Sequence, residues 1–414
     1  MIWYALLLLA LQSPGAAPSL VDRLAAARPG DTIYVPAGVH RGPVVIARPL
    51  VLLGAPGAII DAEGKGTVLT IRADSVELRG LTLRGGGTSL NEDEATIKIV
   101  RCTGCRVIDT RIIDALHGIY LQEARDVLLA DNEIAGNSRL VESRRGNGIH
   151  LFSSTANRIE RNRIVGTRDG MYFSFATQNV IVDNDVERTR YGLHYMYSDD
   201  NRFERNRFRR NAAGAAIMFS KRIVLRDNVF AEHVGYRAYG VLLQTAEEVL
   251  AERNRIEGNL TGLFLDGSID NTFRANVIAG NGIGIDLLAS AERNTFVDNA
   301  IVDNRTSVRN VLGAGENSWA RDGRGNYWGD REVFDLDGDG IGDRPYEAGD
   351  PFATLAASRP VLDLFTGTPA AAALSWAERA FPVFDTPRVI DPSPLVRPSP
   401  DAPSVRPART PSGR

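Results

Sequence analysis

An asparagine that returns about every 22 residues constrains this chain more than any other feature. The series is Thr110, Asn132, Asn162, Asn184, Asn206, Asn228, Asn254, Asn276 and Asn299, with steps of 22, 30, 22, 22, 22, 26, 22 and 23 residues. Two residues after each member stands an apolar side chain, such as Ile134, Val186 or Phe208. A second series, Gly118, Gly148, Gly170, Gly192, Gly214, Gly240, Gly262 and Gly284, keeps the same beat. A fixed period of this length means stacked supersecondary units, each of which needs its neighbours to bury an apolar face.

The pattern inside one lap selects the unit. The first and third residues after the glycines are apolar in nearly every lap (Ile149/Leu151, Met171/Phe173, Leu193/Tyr195), and another apolar series, including Leu129, Ile181 and Phe203, precedes the asparagines by three. Alternation of this kind is strand-like, and no helical stripe fits between the markers. Leucine-rich repeats have a similar length, but their frame is absent. The prediction is an all-β fold, a right-handed single-stranded parallel β-helix with coils of about 22 residues and a short helical or irregular C-terminal cap. The asparagines then form an internal ladder at the strand spacing of ~4.8 Å. The two longer laps carry loops around Ser138–Arg145 and His233–Arg237.

Four segments are expected. Residues 1–17 have the apolar run and small residues (Ser13-Pro-Gly-Ala-Ala17) of a secretory signal, without a basic n-region. Residues 18–312 form the β-helix, opening with a helical cap at Leu20–Ala27. Residues 313–385 hold a Gly- and Asp-rich loop and two candidate helices, Ala353–Phe365 and Ala370–Phe381, suited to covering the last coil. Residues 386–414 have the proline and arginine content of a disordered tail. The signal implies export, and no later run approaches the ~18 apolar residues of a membrane span. A net charge of −3 gives no bulk attraction to nucleic acid or anionic lipid, and no stacking motif accompanies the scattered arginines.

Strand alternation turns the second and fourth residues after each glycine outward. His150 and His194 then stand on one face with Met196 and Met218, and imidazole plus thioether is the soft donor set that favours Cu(I). The same face carries Tyr120, Tyr172, His194 and Phe264, which suit docking by another protein. Both uses are compatible. Cys102 and Cys105, spaced CxxC, are expected to be a buried thiol pair or local disulfide, with metal binding the minority alternative. Asp335, Asp337, Asp339 and Asp343 match ligand positions of a calcium loop, with Gly340 at the sixth, but Tyr346 replaces the closing glutamate. The alternative there is a run of turns in which the carboxylates bond the backbone.

Three stretches carry a family resemblance. Arg190-Tyr-Gly-Leu-His-Tyr-Met-Tyr-Ser-Asp-Asp-Asn201, Gly325-Asn-Tyr-Trp-Gly-Asp330 and Asp335–Tyr346 occur here in the order that resembles the NosD family, within the wider carbohydrate-binding and sugar-hydrolase (CASH) β-helices. Residues 20–395 are covered. The resemblance implies a periplasmic accessory protein for nitrous oxide reductase maturation. It implies work with an ABC transporter permease/ATPase complex to supply the copper–sulfide centre, and copper as a bound ion. The competing class is a secreted polysaccharide lyase or hydrolase, or a glycan-binding protein. Glycosidases need paired carboxylates at a cleft, and the best pair available, Asp266 and Asp286, lacks a basic cluster beside it.

Overall fold

The computed structural model describes residues 18–288, 290–310, 316–348, 359–365, 368–380 and 389–405. The expected signal segment, 1–17, lies outside the described residues, as do 353–358 of the first candidate helix.

The chain winds as a solenoid whose laps each contribute one strand to three parallel sheets of 12, 13 and 12 strands. Thr32–Val35, Gly38–Arg41 and Val44–Ile46 start the first, second and third sheets in turn. Every pairing within these sheets is parallel, and register is kept from lap to lap, as in Phe203 against Leu225 and Phe208 against Phe230, except for a shift between Ile112 and Ala115. Inward side chains fill one continuous core. Its later laps hold stacked rings, including Phe273 on Phe296 (4.8 Å) and Phe296 on Trp319 (4.4 Å).

The asparagine series stands buried at the corner between the first and second sheets. Asn206 is fully buried; its Nδ2 donates to Asn228 Oδ1 (3.0 Å) and Ile181 O (2.9 Å), and its Oδ1 accepts from Asn184 N (3.0 Å) and Nδ2 (2.9 Å). This satisfies corner backbone groups that no strand partner reaches. Two further ladders escaped the sequence reading. One, at the corner between the third and first sheets, includes Asn157, Asn179 and Asn201, and resumes at Asn271 and Asn294. The other, between the second and third sheets, runs through Asn259, Asn281 and Asn304. His233, expected in a loop, belongs to this last series: it is buried and its Nδ1 accepts from Asn211 N (3.3 Å). The loop itself is the exposed stretch Val234–Arg237.

The glycine series has a spatial cause. A Cβ on Gly192 would lie 2.7 Å from the Gly214 carbonyl oxygen and 2.8 Å from the Phe208 ring. No side chain fits between laps there.

Both ends are closed. The helix Leu20–Ala26 has a Ser19/Asp22 capping box and buries Leu20 and Leu24 over the first lap. At the other end, Trp328 and Tyr346 stack at 4.1 Å and the strand Tyr346–Ala348 pairs antiparallel with Val389–Asp391. In the helical segments Pro360–Phe365 and Pro369–Ala380, the described side chains of Val361, Leu364 and Trp376 are exposed. The expected disordered tail is corrected for 389–405. Asp391, fully buried, accepts from Asn326 N (2.7 Å) and Trp328 Nε1 (2.9 Å), so it terminates the asparagine ladder that Asn326 extends. The chain then turns back along the second sheet, where Ala402 and Val405 pack on an apolar strip that includes Val277 and Val302. Arg274 Nη2 reaches Asp401 (3.1 Å) over that strip.

Candidate copper and docking face

The outer face of the third sheet brings the proposed residues into two columns. The first runs Tyr120, His150, Tyr172, His194, Ala216, Leu242, Phe264, Asp286, each the register partner of the next. The second holds Phe152, Ser174, Met196 and Met218, with Met196 directly opposite Met218. His194 and Met196 belong to one strand, Tyr191–Met196. So His194, Met196 and Met218 come together on two adjacent laps, all half-buried.

His150 does not join them. The Tyr172 ring stands between the two histidines, 4.7 Å from His150 and 4.8 Å from His194. Burial, with the nearby charges of Arg168 and Lys98, pushes the His117 ring down to about 4; burial together with His117 brings His150 down to about 3. Both are neutral near pH 7. His117 Nδ1 accepts from Asn147 N (3.0 Å), as a ladder residue would. Tyr120 is corrected as a docking residue: it is 5 % exposed, with the His150 ring 4.2 Å away and Lys98 over its face. Phe264 stays half-buried against Tyr239, three laps from His194.

Two groups that sequence reasoning missed organise the face. Asp169, fully buried, accepts from Arg190 Nε (2.8 Å) and Nη2 (2.7 Å), and lies 2.9 Å from His194 Nδ1. Burial alone would raise the Asp169 carboxyl, but His194 and Arg190 hold it below the usual carboxylate range. Arg190 also lines a cavity of about 510 Å³ with Arg168, whose rim, Glu142 and Ser143, comes from the inserted loop. The second group is an exposed aromatic stack beside the methionines. Phe175, Tyr197 and Phe219 are 56 %, 47 % and 40 % exposed, with centroids 5.4 and 5.2 Å apart. All three have positive φ (52°, 50° and 51°), the corner conformation that Glu123, Ser153 and Thr245 adopt at the same position of other laps, so the backbone there is set by the solenoid. Their 22-residue recurrence, one position beyond Met196 and Met218, was a readable signal.

The remaining candidates separate cleanly. Cys102 and Cys105 are disulfide-bonded and buried, so they offer no thiolate. Asp335, Asp337 and Asp339 place carboxylate oxygens within 4.8 Å of one another, while Asp343 is outside that group and accepts from Leu336 N (2.6 Å). Asp335 accepts from Gly338 N (2.7 Å) and Gly340 N (3.0 Å), a turn-rich loop. Asp286 has the outward phase but is buried and accepts from Arg309 Nε at 2.9 Å, so Asp266 and Asp286 do not present a free carboxylate pair.

Comparison with known proteins agrees with the sequence motifs. A family profile described as "NosD: Periplasmic copper-binding protein (NosD)" matches residues 130–332. The chain is 37% identical over 409 residues to a "Probable ABC transporter binding protein NosD" of Pseudomonas aeruginosa, covering 95% of this chain and 94% of the relative. A protein of the same description from Stutzerimonas stutzeri is 35% identical over 410 residues, covering 95% and 93%. Among solved structures, the A-module of the mannuronan C-5 epimerase AlgE6 from Azotobacter vinelandii aligns with a TM-score of 0.51 at 14% identity, covering 75% of this chain and 94% of that one. At that identity the likeness is one of fold alone.

Proposed function

The chain belongs to the NosD family, and on that premise we propose that it is a periplasmic accessory protein that works with an ABC transporter to supply the copper–sulfide centre of nitrous oxide reductase. The outer face of its third sheet holds Cu(I) and docks the partner. The observation that carries this reading is the donor set. Met196 and Met218 are register partners, and His194, on the strand of Met196, has its Nδ1 turned to Asp169, which leaves Nε2 as the ligand atom. Thioether and imidazole suit Cu(I), a cargo ion whose chemistry here is reversible ligand exchange. Tyr172 and the Phe175–Tyr197–Phe219 stack supply the apolar contact area beside it.

Anaerobic competition with a Cu(I) chelator tests the site. The wild-type chain is expected to hold one Cu(I), and a His194→Gln, Met196→Ala, Met218→Ala variant to lose it. Equal retention by both sinks the metal half of the reading. The accessory reading is separated from glycan cleavage by assaying released reducing ends and unsaturated uronides, with none expected.

The Asp335–Asp343 loop is proposed as a weak calcium site, supported by the convergence of Asp335, Asp337 and Asp339. At ten times a submillimolar Kd, calcium adds about 1.4 kcal/mol. The melting temperature is therefore expected to rise by a few degrees in millimolar calcium over EGTA, and Asp339→Ala to remove that rise. Superimposable melts favour the turn-only loop.

A further inference from the structure

We propose that Asp169 is the positioning residue of the His194 site: its carboxylate fixes the proton on His194 Nδ1 and aims the Nε2 lone pair at the metal. This rests on the copper reading above.

The case begins with where the acid stands. Asp169 occupies the position just before the lap's glycine, where other laps carry Asn147, Tyr191, Ala213, Tyr239 or Thr261. None of those is acidic, so the solenoid does not require a carboxylate there. Full burial of an ionised carboxylate is costly, and it is tolerated only with good partners. Both of its hydrogen-bond partners lie one lap further on, on the site face, Arg190 through two bonds and His194 through one, with Arg168 Nε of its own lap at 3.8 Å.

The bonding pattern decides the tautomer. An ionised carboxylate only accepts, and a guanidinium only donates. Asp169 Oδ2 lies 2.9 Å from His194 Nδ1 and the competing donor Arg190 Nη2 lies further off, at 3.4 Å, so the shorter contact favours the proton on Nδ1. The ring plane is also held. Tyr172 meets the imidazole edge-on at 4.8 Å and an interplanar angle of 85°, and Tyr191 packs at 5.0 Å with Arg190 over its own face. Metal-binding imidazoles commonly donate their second N–H to a carboxylate in this way, and loss of that partner typically costs 10–100-fold in affinity. Arg190 and, further off, Arg168 offset the charge of the buried carboxylate. Asp169 itself touches no cargo.

The alternative is that Asp169 and Arg190 are an internal ion pair with no bearing on the ligand. Two measurements on the full chain tell these apart. The first is the ring ¹⁵N spectrum of the metal-free protein, which has only five histidines. The second is Cu(I) affinity by anaerobic competition with bathocuproine disulfonate. The variants are Asp169→Asn and the double variant Asp169→Asn with Arg190→Gln, which removes the guanidinium bonded to Asp169 and so guards the fold. We expect His194 to move from the Nδ1–H form toward a mixture in both variants, with Cu(I) affinity 10–100-fold lower and the other four histidine signals in place. Wild-type tautomer together with affinity within about twofold of wild type overturns the proposal. Absence of Cu(I) binding by the wild-type chain defeats the copper reading instead, and the tautomer spectrum still decides whether Asp169 positions the ring.

Discussion

Replacing Asn206 by leucine is expected to destabilise the solenoid by ~2–6 kcal/mol, although the two side chains have nearly the same shape. The figure comes from the partners left behind. Asn184 N loses its acceptor, Asn206 Oδ1, and Ile181 O loses the donor Asn206 Nδ2. Each unsatisfied buried group costs ~1–3 kcal/mol. Asn184 Nδ2 is spared, because it also donates to Ile159 O and Val182 O at 2.9 and 3.0 Å. The neighbouring corner residue gives the control. Arg205 is exposed, with its guanidinium on Asp183 at 2.9 Å, and a surface ion pair contributes ~0–1 kcal/mol. Thermal melts of Asn206→Leu and Arg205→Ala should therefore separate by several degrees. Coincident melts would mean that the ladder is not what holds the laps together.

The second large effect is functional. Cells carrying His194→Gln, Met196→Ala and Met218→Ala in this protein are expected to make nitrous oxide reductase that lacks its copper–sulfide centre, with reductase activity near background. Glutamine at 194 retains an N–H for Asp169, which keeps Arg190 in any case, so the buried acid is not abandoned. Met196 and Met218 are half-buried on the outer face, outside the continuous core. Their truncation should cost far less than the 2–5 kcal/mol of a core methionine. A variant that melts within a few degrees of wild type but fails to mature the reductase places the loss at the site. Full reductase activity in those cells would leave the face as an exposed apolar wall.

The solenoid was legible because its cause is local and repeats. Each lap needs a corner amide, a glycine where the next lap's carbonyl lies 2.7 Å from any Cβ, and inward apolar residues at fixed offsets. Those requirements print a period on the sequence. The first ladder was visible because eight of its members are asparagine without interruption. The other two mix in threonine, histidine and apolar residues, as at Thr189, His233 and Ile223, and so break the pattern. The tail failed for a different reason. Proline and arginine content describes the chain in isolation, whereas Asp391 finds Asn326 and Trp328 more than 60 residues away.

The site was half legible. Alternation placed His194, Met196 and Met218 together, because register within parallel strands follows from the period. It could not report depth: Tyr120 has the same outward phase as Tyr172 but is buried with Lys98 and His150 against it. Nor could it find Asp169, since the contact with His194 spans 25 residues and depends on rotamers and not on phase. Phe175, Tyr197 and Phe219 were in plain view, yet strand logic stops at the strand's end and does not report that the three rings stack.

The central claim, that His194 with Met196 and Met218 holds Cu(I) on this face, is tested most directly by copper K-edge X-ray absorption on the Cu(I)-loaded chain. The two cysteines are tied in the Cys102–Cys105 disulfide, so any sulfur at the metal must be thioether. The account predicts a first shell of sulfur and imidazole nitrogen, with the sulfur lost in Met196→Ala, Met218→Ala and the imidazole signature lost in His194→Gln. A shell of nitrogen and oxygen alone, or one unchanged by those substitutions, would contradict it.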